Sequence, residues 1–558
     1  MNRVGICGRN KMVQSLLARR QRLASNVAER SISNWGFVLP IVCIVILFLT
    51  FQAYTFTELM LVENIASVAN EKSRLASSLS DSGIAYASSR ITKPGGDAAG
   101  LTATEEWSGR LSLSKRTGDG EFDILSFNAV TQRWRLGVVD ETSKLNLNEL
   151  PLGSEHALEA RRMLLCMPRV TPRLADAILD WLDADDEPRP LGAEAAYYSS
   201  LQRDAKARNR PLDHLTDLLG VRGMSEEILF GADRESVWGK MPPEVVGGSQ
   251  IQRQRAGVNI SFDEIGLEHF LTVYGGASFV TDQGDERIVI NNPDLVALFD
   301  TVDAKFGEEV ATYVVAYRLY GPQDKSDLPA DNFLIDEVES ARRRGEQQAG
   351  LGQNNEAIQE ETQMETTRGI LKIKSSGNFT VRSIYDLIGV PVKLPKEYNF
   401  EELNSPWKSS GSNYPRLVPM LQSVFSFYDA TPINVKVNVN LSPVDVLNAI
   451  PGIEDGLADH IVKMRSKLGG GNGLQGSSSI DWLRSQGVLT MDQLRTYAPY
   501  MTVRGNAFRF LSRGRLVSTG ESFCQEVVID RRQFPPRVSY CMPVVTHASG
   551  FVNGIEID

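Results

Sequence analysis

Six carboxylates fall within fifteen residues of this 558-residue chain: Asp180, Asp183, Asp185, Asp186, Glu187 and Glu194. Hard oxygen ligands at this density suit calcium, with Asp183, Asp185 and Glu194 as the expected ligands. The run lacks EF-hand spacing, because no glycine stands at the sixth position of a D-x-D-x-[DN]-G loop. The alternative is a solvated acidic turn, with Asp180 and Asp183 closing a helix. Cys524 and Cys541 lie in the strand-like runs CQEVVID and RVSYC, 17 residues apart. In an oxidising compartment they can form a disulfide; otherwise they are ordinary buried thiols. Cys7 falls in a basic leader, Cys43 in an apolar stretch, and Cys166 beside a helical hairpin. The five histidines, at 156, 214, 269, 460 and 547, have no metal or triad spacing, and G-x-S-x-G, H-E-x-x-H and P-loop patterns are absent. The expectation is a protein that is not an enzyme.

Whatever these residues do depends on where the chain is held. The formal net charge is −10, yet Arg3, Arg9, Lys11, Arg19, Arg20, Arg22 and Arg30 face only Glu29 within residues 1–36. That leader carries +6 and the remainder −16. An acidic remainder argues against a protein that coats nucleic acid. Ser31 to Thr57 is uncharged, and its centre reads FVLPIVCIVILFLTF. About 20 apolar residues cross a bilayer as a helix, and Trp35 to Tyr54 supplies them. The basic side stays cytoplasmic, so the chain beyond Glu58 is exported. A buried core helix would not carry one-sided flanking charge, and a cleaved signal peptide would need a small-residue site, which QAYTFTELMLVEN lacks. Leu59, Val62, Ile65, Val68, Leu75 and Leu79 recur at three- and four-residue steps, so the apolar helix continues as an amphipathic one to about Arg90.

A basic leader, Gly36, the aromatic Phe37, a greasy stretch and a continuing helix together resemble a type IV pilin precursor. The resemblance implies cleavage by a prepilin peptidase between Gly36 and Phe37. Pilins usually carry Glu at the fifth mature position, and here that position is Ile41. A buried carboxylate in the membrane needs a partner amine, so a subunit without it makes no demand for a subunit above it. In the pilin-like families this departure marks the general secretion pathway protein K type of minor pseudopilin. Two further runs resemble that family: Asp140-Glu141-Thr142-Ser143-Lys144-Leu145-Asn146-Leu147-Asn148, and the stretch Leu174 to Pro190 with Pro211 to Gly223 after it. The most specific block spans about 137–233. The resemblance implies other minor pseudopilins, the prepilin peptidase and the inner-membrane secretion platform as partners, with the N-terminus cytoplasmic and the body periplasmic.

Three segments share alternating asparagines followed by a helix pair: Leu145 to Ile178, Ile288 to Arg318 and Val437 to Arg465. Repeats one and three align without a gap, Pro168 with Pro451, Val170 with Ile453, Ala175 with Ala458 and Ile178 with Ile461. The pattern resembles the helix-hairpin-helix motif. Glu454 and Asp455 in one hairpin, and Glu308 and Glu309 in another, repel phosphate, so protein packing is expected and nucleic-acid binding is not.

The expected fold is α+β: a pilin-like long N-terminal helix on an antiparallel sheet, with inserted all-α, SAM-like helix-hairpin-helix domains. The sheet takes strands from 123–139 and 508–541. The expected divisions are a cleaved leader (1–36), the pilin helix (37–93), first body strands (94–140) and a first helical domain (141–245). A second repeat (246–335), a disordered insertion (336–371), a linker with a short helix (372–430), a third repeat (431–500) and closing strands (501–558) follow. Such a body fits the tip of a type II secretion pseudopilus, where it caps the fibre and helps initiate assembly. The rivals are a minor pilin of a type IV pilus or DNA-uptake system, and an uncleaved membrane-anchored scaffold.

Overall fold

A computed structural model describes residues 38–91, 108–112, 119–128, 133–153, 156–200, 208–231, 265–281, 283–323, 366–373, 377–398, 401–409, 411, 413–427, 434–468 and 479–544. Two compact units emerge, Met1–Leu75 and Ala76–Asp558. The cleavage junction Gly36-Phe37, the leader and most of the expected insertion (336–365) lie outside the described residues.

In the first unit the described chain is helical. It belongs to the helix Val38–Ile91, 54 residues long. Pro40 sits in its first turn, where a missing N–H breaks no intrahelical bond. An 18-residue window of this helix has a mean hydropathy of 2.2 and none of it is buried. Ile44, Leu47, Phe48 and Phe51 are all exposed. Among the described residues this is the one helix long and apolar enough to cross a membrane.

The second unit begins with the last turns of the helix, Ala76 to Ile91, on a seven-stranded antiparallel sheet. The main path runs Ser108–Ser112, Asp119–Asn128, Ala507–Leu516, Ser522–Asp530 and Arg537–Val544, with Arg133–Leu136 and Val139–Asp140 alongside. The central strand, Ala507–Leu516, thus joins the two ends of the chain, as expected. Its alternation explains the packing. Phe508 and Phe510 turn toward the helix and form a core with Ala87, Ile91, Ile124, Val527 and Ile529. Further along the same face, small residues let the helix approach. Ser80 Oγ donates to the Ser512 carbonyl at 2.8 Å, and Ser512 Oγ donates back to the Ser80 carbonyl at 2.7 Å. On the opposite face Arg513 pairs with Asp123 at 2.6 Å and Arg515 with Glu121 at 2.9 Å, each directly across the ladder.

Between the two halves of the sheet the chain makes three excursions. Each opens and closes on a two-residue parallel pair: Leu145-Asn146 with Leu271-Thr272, Ile288-Val289 with Phe425-Ser426, and Val437-Asn438 with Met501-Thr502. In the first and third modules the pairs stop short because asparagine side chains take over the backbone donors. Asn146 Oδ1 accepts from the Asn148 N–H at 3.0 Å, and Asn438 Oδ1 from the Asn440 N–H at 3.0 Å, turning the chain out of the ladder.

The helix pairs match the expected hairpins in two modules. In the first, Ala157–Leu165 and Pro172–Leu182 meet at Arg169, with φ 63°; in the third, the equivalent Gly452 has φ 66°. A non-glycine in this region is uncommon, so the shared backbone supports the gapless alignment. In the second module Gly307, φ 91°, separates Leu295–Phe306 from Glu308–Tyr320. Ala175, Ala311 and Ala458 are all fully buried.

The expected boundaries at 335 and 372–430 need correction, because the second module closes only at Phe425-Ser426. Residues 381–390 are not linker. Leu212-Asp213-His214-Leu215-Thr216-Asp217-Leu218-Leu219-Gly220-Val221 matches Val381-Arg382-Ser383-Ile384-Tyr385-Asp386-Leu387-Ile388-Gly389-Val390 without a gap. The hydrogen bonds match as well. Asn148 holds both backbone groups of Leu212, at 2.8 and 3.0 Å, and Asn291 holds both of Val381 at 2.9 Å. Asp217 and Asp386 each accept two N–H groups at the start of the following turn.

Candidate functional site

The acidic cluster lies at the end of the helix Pro172–Leu182. Thr171 caps its start, accepting from the Leu174 N–H at 3.3 Å, and Pro172 occupies the first turn. The helix buries a continuous run from Leu174 to Leu182, which carries Asp180 inward, and Asp183 stands at its C-cap. Glu194 returns from the following loop. Carboxylate oxygens of Asp180, Asp183 and Glu194 all lie within 4.8 Å of one another, and all three residues are buried. Gly192 permits this closure, since a Cβ there would sit 1.8 Å from Asp180 Oδ2.

The expected trio therefore changes by one member. Asp185 is exposed and is spent locally, its Oδ1 accepting from the Glu187 N–H at 2.9 Å. Asp180 takes its place. Arg189 provides part of the charge balance, pairing with Asp180 Oδ1 at 2.7 Å and with Asp183. Three oxygens still have no hydrogen-bond partner among the described residues: Asp183 Oδ1 and both oxygens of Glu194. Burial pushes Glu194 up to about 7, and the nearby Asp180 and Asp183 charges add to this. Burial also raises Asp183, although the Arg189 hydrogen bond opposes it. Orphaned buried carboxylate oxygens of this kind fit a hard divalent cation.

A second polar knot joins the sheet to the modules. Asp140 accepts from Thr142 Oγ1 at 2.6 Å and from Asn438 Nδ2 of the third module at 2.8 Å. Burial nevertheless lifts it to about 6. Glu141 meets Lys144 at 2.6 Å, Arg509 of the central strand at 3.0 Å and Thr272 at the mouth of the first module. Burial alone would raise its pKa, but the Arg509 and Lys144 charges outweigh that and bring it down to about 2. The Asp140 to Asn148 run is thus the clasp of the body. Nothing in its spacing signalled partners some 300 residues away.

The expected disulfide does not form: Cys524 and Cys541 are free thiols. They lie on adjacent strands, but the register sets Cys524 against Val544 and Cys541 against Val527. Cys524 and Val527 are an odd number of residues apart, so the two sulfurs leave opposite faces of the sheet. Cys541 lies beside Gln525, and Cys524 is buried on the face that carries Arg513.

A family model for type II secretion system protein K, first domain, matches residues 143–230. The match covers the Asn strand, the helical hairpin, the acidic cluster and the Leu212–Val221 turn. Residues 143–230 thus resemble the first domain of type II secretion system protein K. No curated protein gives a significant match. Among solved structures, a chain of the GspK-GspI-GspJ complex from the enterotoxigenic Escherichia coli type 2 secretion system is similar at 10% identity, over 86% of this chain and 99% of that one, with a TM-score of 0.30. So weak a likeness carries no argument. The helix Val38–Ile91 fits a single-pass membrane anchor by its length and composition.

Proposed function

We propose that the chain is a minor pseudopilin of the protein K type that caps the tip of the type II secretion pseudopilus and helps initiate its assembly. In this reading the prepilin peptidase cuts between Gly36 and Phe37. The apolar helix stays in the inner membrane, with the leader side cytoplasmic and residues from Ala76 onward periplasmic. Other minor pseudopilins and the inner-membrane platform are its partners. The observation that carries the reading is the set of three modules inserted between the two halves of the sheet. A shaft subunit is flanked by copies along the fibre, and three large insertions are hard to accommodate there. Ile41 at the fifth mature position supports the same end: a subunit with no carboxylate there needs no amine from a following subunit. Gold labelling of an exposed tag on pseudopili tests this. Label confined to one fibre end is expected, and label along the shaft would overturn it. Mass spectrometry of the membrane-extracted protein should find Phe37 at the N-terminus; Met1 would favour an uncleaved scaffold.

The acidic cluster supports a second proposal, that Asp180, Asp183 and Glu194 hold calcium. A bound cation would neutralise three crowded carboxylates and tie the Gly192–Glu194 loop to the helix end. Calcium should raise the thermal midpoint of the full chain in detergent. Glu194→Gln should lose most of that rise, and Asp185→Asn should keep it.

A further inference from the structure

A cavity of about 180 Å³ opens where the modules meet the sheet. Its wall takes residues from all three modules and from the strand connections, and it is unusually rich in cations. Arg287, Arg382, Lys436, Arg504 and Arg531 line it, together with Lys144. Its acids are Glu141 and Glu149. Glu141 is already committed to Lys144, Arg509 and Thr272.

Two of these cations stand out. Arg382 is 4% exposed, yet its Nε and Nη2 find no hydrogen-bond partner among the described residues. It occupies the module position that is Asp213 in the first module, so the second module has replaced an exposed acid with a buried base. Asp386 accepts from the Arg382 backbone N–H at 2.8 Å; burial raises its pKa and the nearby Arg382 charge opposes the rise. Nε and Nη2 of Arg382 still stay unanswered, which costs free energy. Lys436 comes from the run leading into the third module. Burial first, and the Arg287 charge second, bring its ammonium down to about 8, with Glu149 opposing. Arg287 itself donates to the carbonyls of Ser278 at 3.0 Å and Phe425 at 2.6 Å, and to that of Gln422. Its charge acts on Lys436.

We propose that this cavity is a binding site for a small oxyanion of the phosphate or sulfate class, held by Lys436 and Arg382. The volume admits one tetrahedral anion with a few waters. Lys436 and Arg382 line it from different modules, so an anion held by both would bridge the two. Guanidinium and ammonium donors match the oxygens of such an anion. The site is separate from the acidic cluster, and its ligand carries the opposite charge. It does not depend on the tip-capping proposal.

The test is calorimetric titration of the full chain in detergent with inorganic phosphate and with sulfate, at constant ionic strength maintained by chloride. Saturable binding of one anion per chain with a Kd below about 1 mM is expected. Lys436→Gln and Arg382→Gln should each weaken it by tenfold or more, and Lys436→Arg should retain it. Arg382→Gln tests the site even if Lys436→Gln fails to fold, and near-ultraviolet circular dichroism shows which variants are native. Arg173→Gln, a change outside the cavity lining, should leave binding unchanged. Absence of saturable heat for both anions would overturn the proposal and leave water as the occupant. So would native Lys436→Gln and Arg382→Gln proteins that bind as tightly as the parent.

Discussion

Gly514 is the place where the spine helix and the central strand come closest, and replacing it with alanine separates packing from propensity. A Cβ at 514 would lie 2.1 Å from the Ala76 carbonyl oxygen, 2.5 Å from the Ser80 nitrogen and 2.7 Å from Leu79 Cβ. Two of these are backbone atoms of the helix, which cannot step aside by changing a rotamer. The helix must lift by about an ångström, since real Cβ contacts begin above 3 Å. That movement adds an overpacking cost of about 1–3 kcal/mol. It also breaks the reciprocal Ser80–Ser512 pair, whose two bonds contribute about 1 kcal/mol each. The expected loss for Gly514→Ala is therefore about 2–4 kcal/mol of local stability, allowing for partial relaxation. Native-state hydrogen exchange on the full chain in detergent reads this directly. Amides of Ala507–Leu516 and of the helix from Ala76 to Ile91 should exchange roughly 30- to 1000-fold faster, at tenfold per 1.4 kcal/mol. Gly153→Ala is the control, because nothing lies within 4 Å of its Cβ position. Acceleration below about threefold at 514, or equal acceleration at 153, would refute the argument that close approach at this glycine fixes the helix on the sheet.

Glu194 predicts a pH dependence. Its folded pKa is raised above that of an unfolded carboxyl, so the folded state binds the proton more tightly. Stability without divalent cations should fall as pH rises from about 4.5 to 7, then level off. Asp140, raised to about 6, adds a slope of the same sign, so the diagnostic quantity is the difference from Glu194→Gln, which should flatten the curve between pH 5 and 7. Urea midpoints of both proteins across that range check it, and parallel curves would count against the orphaned carboxylate. For the thiols, reductant should leave the thermal midpoint unchanged. Cys541 should react with a water-soluble maleimide in the native protein, whereas Cys524 should react only after unfolding, as peptide mass mapping would show.

Much of this architecture could be read from residue patterns because local chemistry enforces it. The uncharged stretch after the leader demanded a long apolar helix. Strands were expected within 508–541, and the structure adds that Phe508 and Phe510 pack toward the helix. The gapless alignment of two hairpins sets Arg169 against Gly452, and the structure finds both in the left-handed region. The failures share a cause, which is dependence on register or on distant partners. The cysteine spacing allowed a bridge, but a register that sets Val527 against Cys541 sends the sulfurs to opposite faces. Asp185 looked like a ligand in a list of acids, but the C-cap geometry at Asp183 turned Asp180 inward instead. The second half of the middle module was missed because residues 324–365 interrupt it. The signal was there: the ten residues from Val381 to Val390 repeat those from Leu212 to Val221, down to the Asp and the Gly.

The paired strands at the mouth of each module have a consequence for how such a body can change. Because the chain enters and leaves each module on paired strands, its contents are a cul-de-sac. Chain length within it can change without moving the two points at which it is attached. The strands that grip the helix need not register how much chain lies beyond those points. What the modules present can therefore change while the sheet that grips the helix stays untouched.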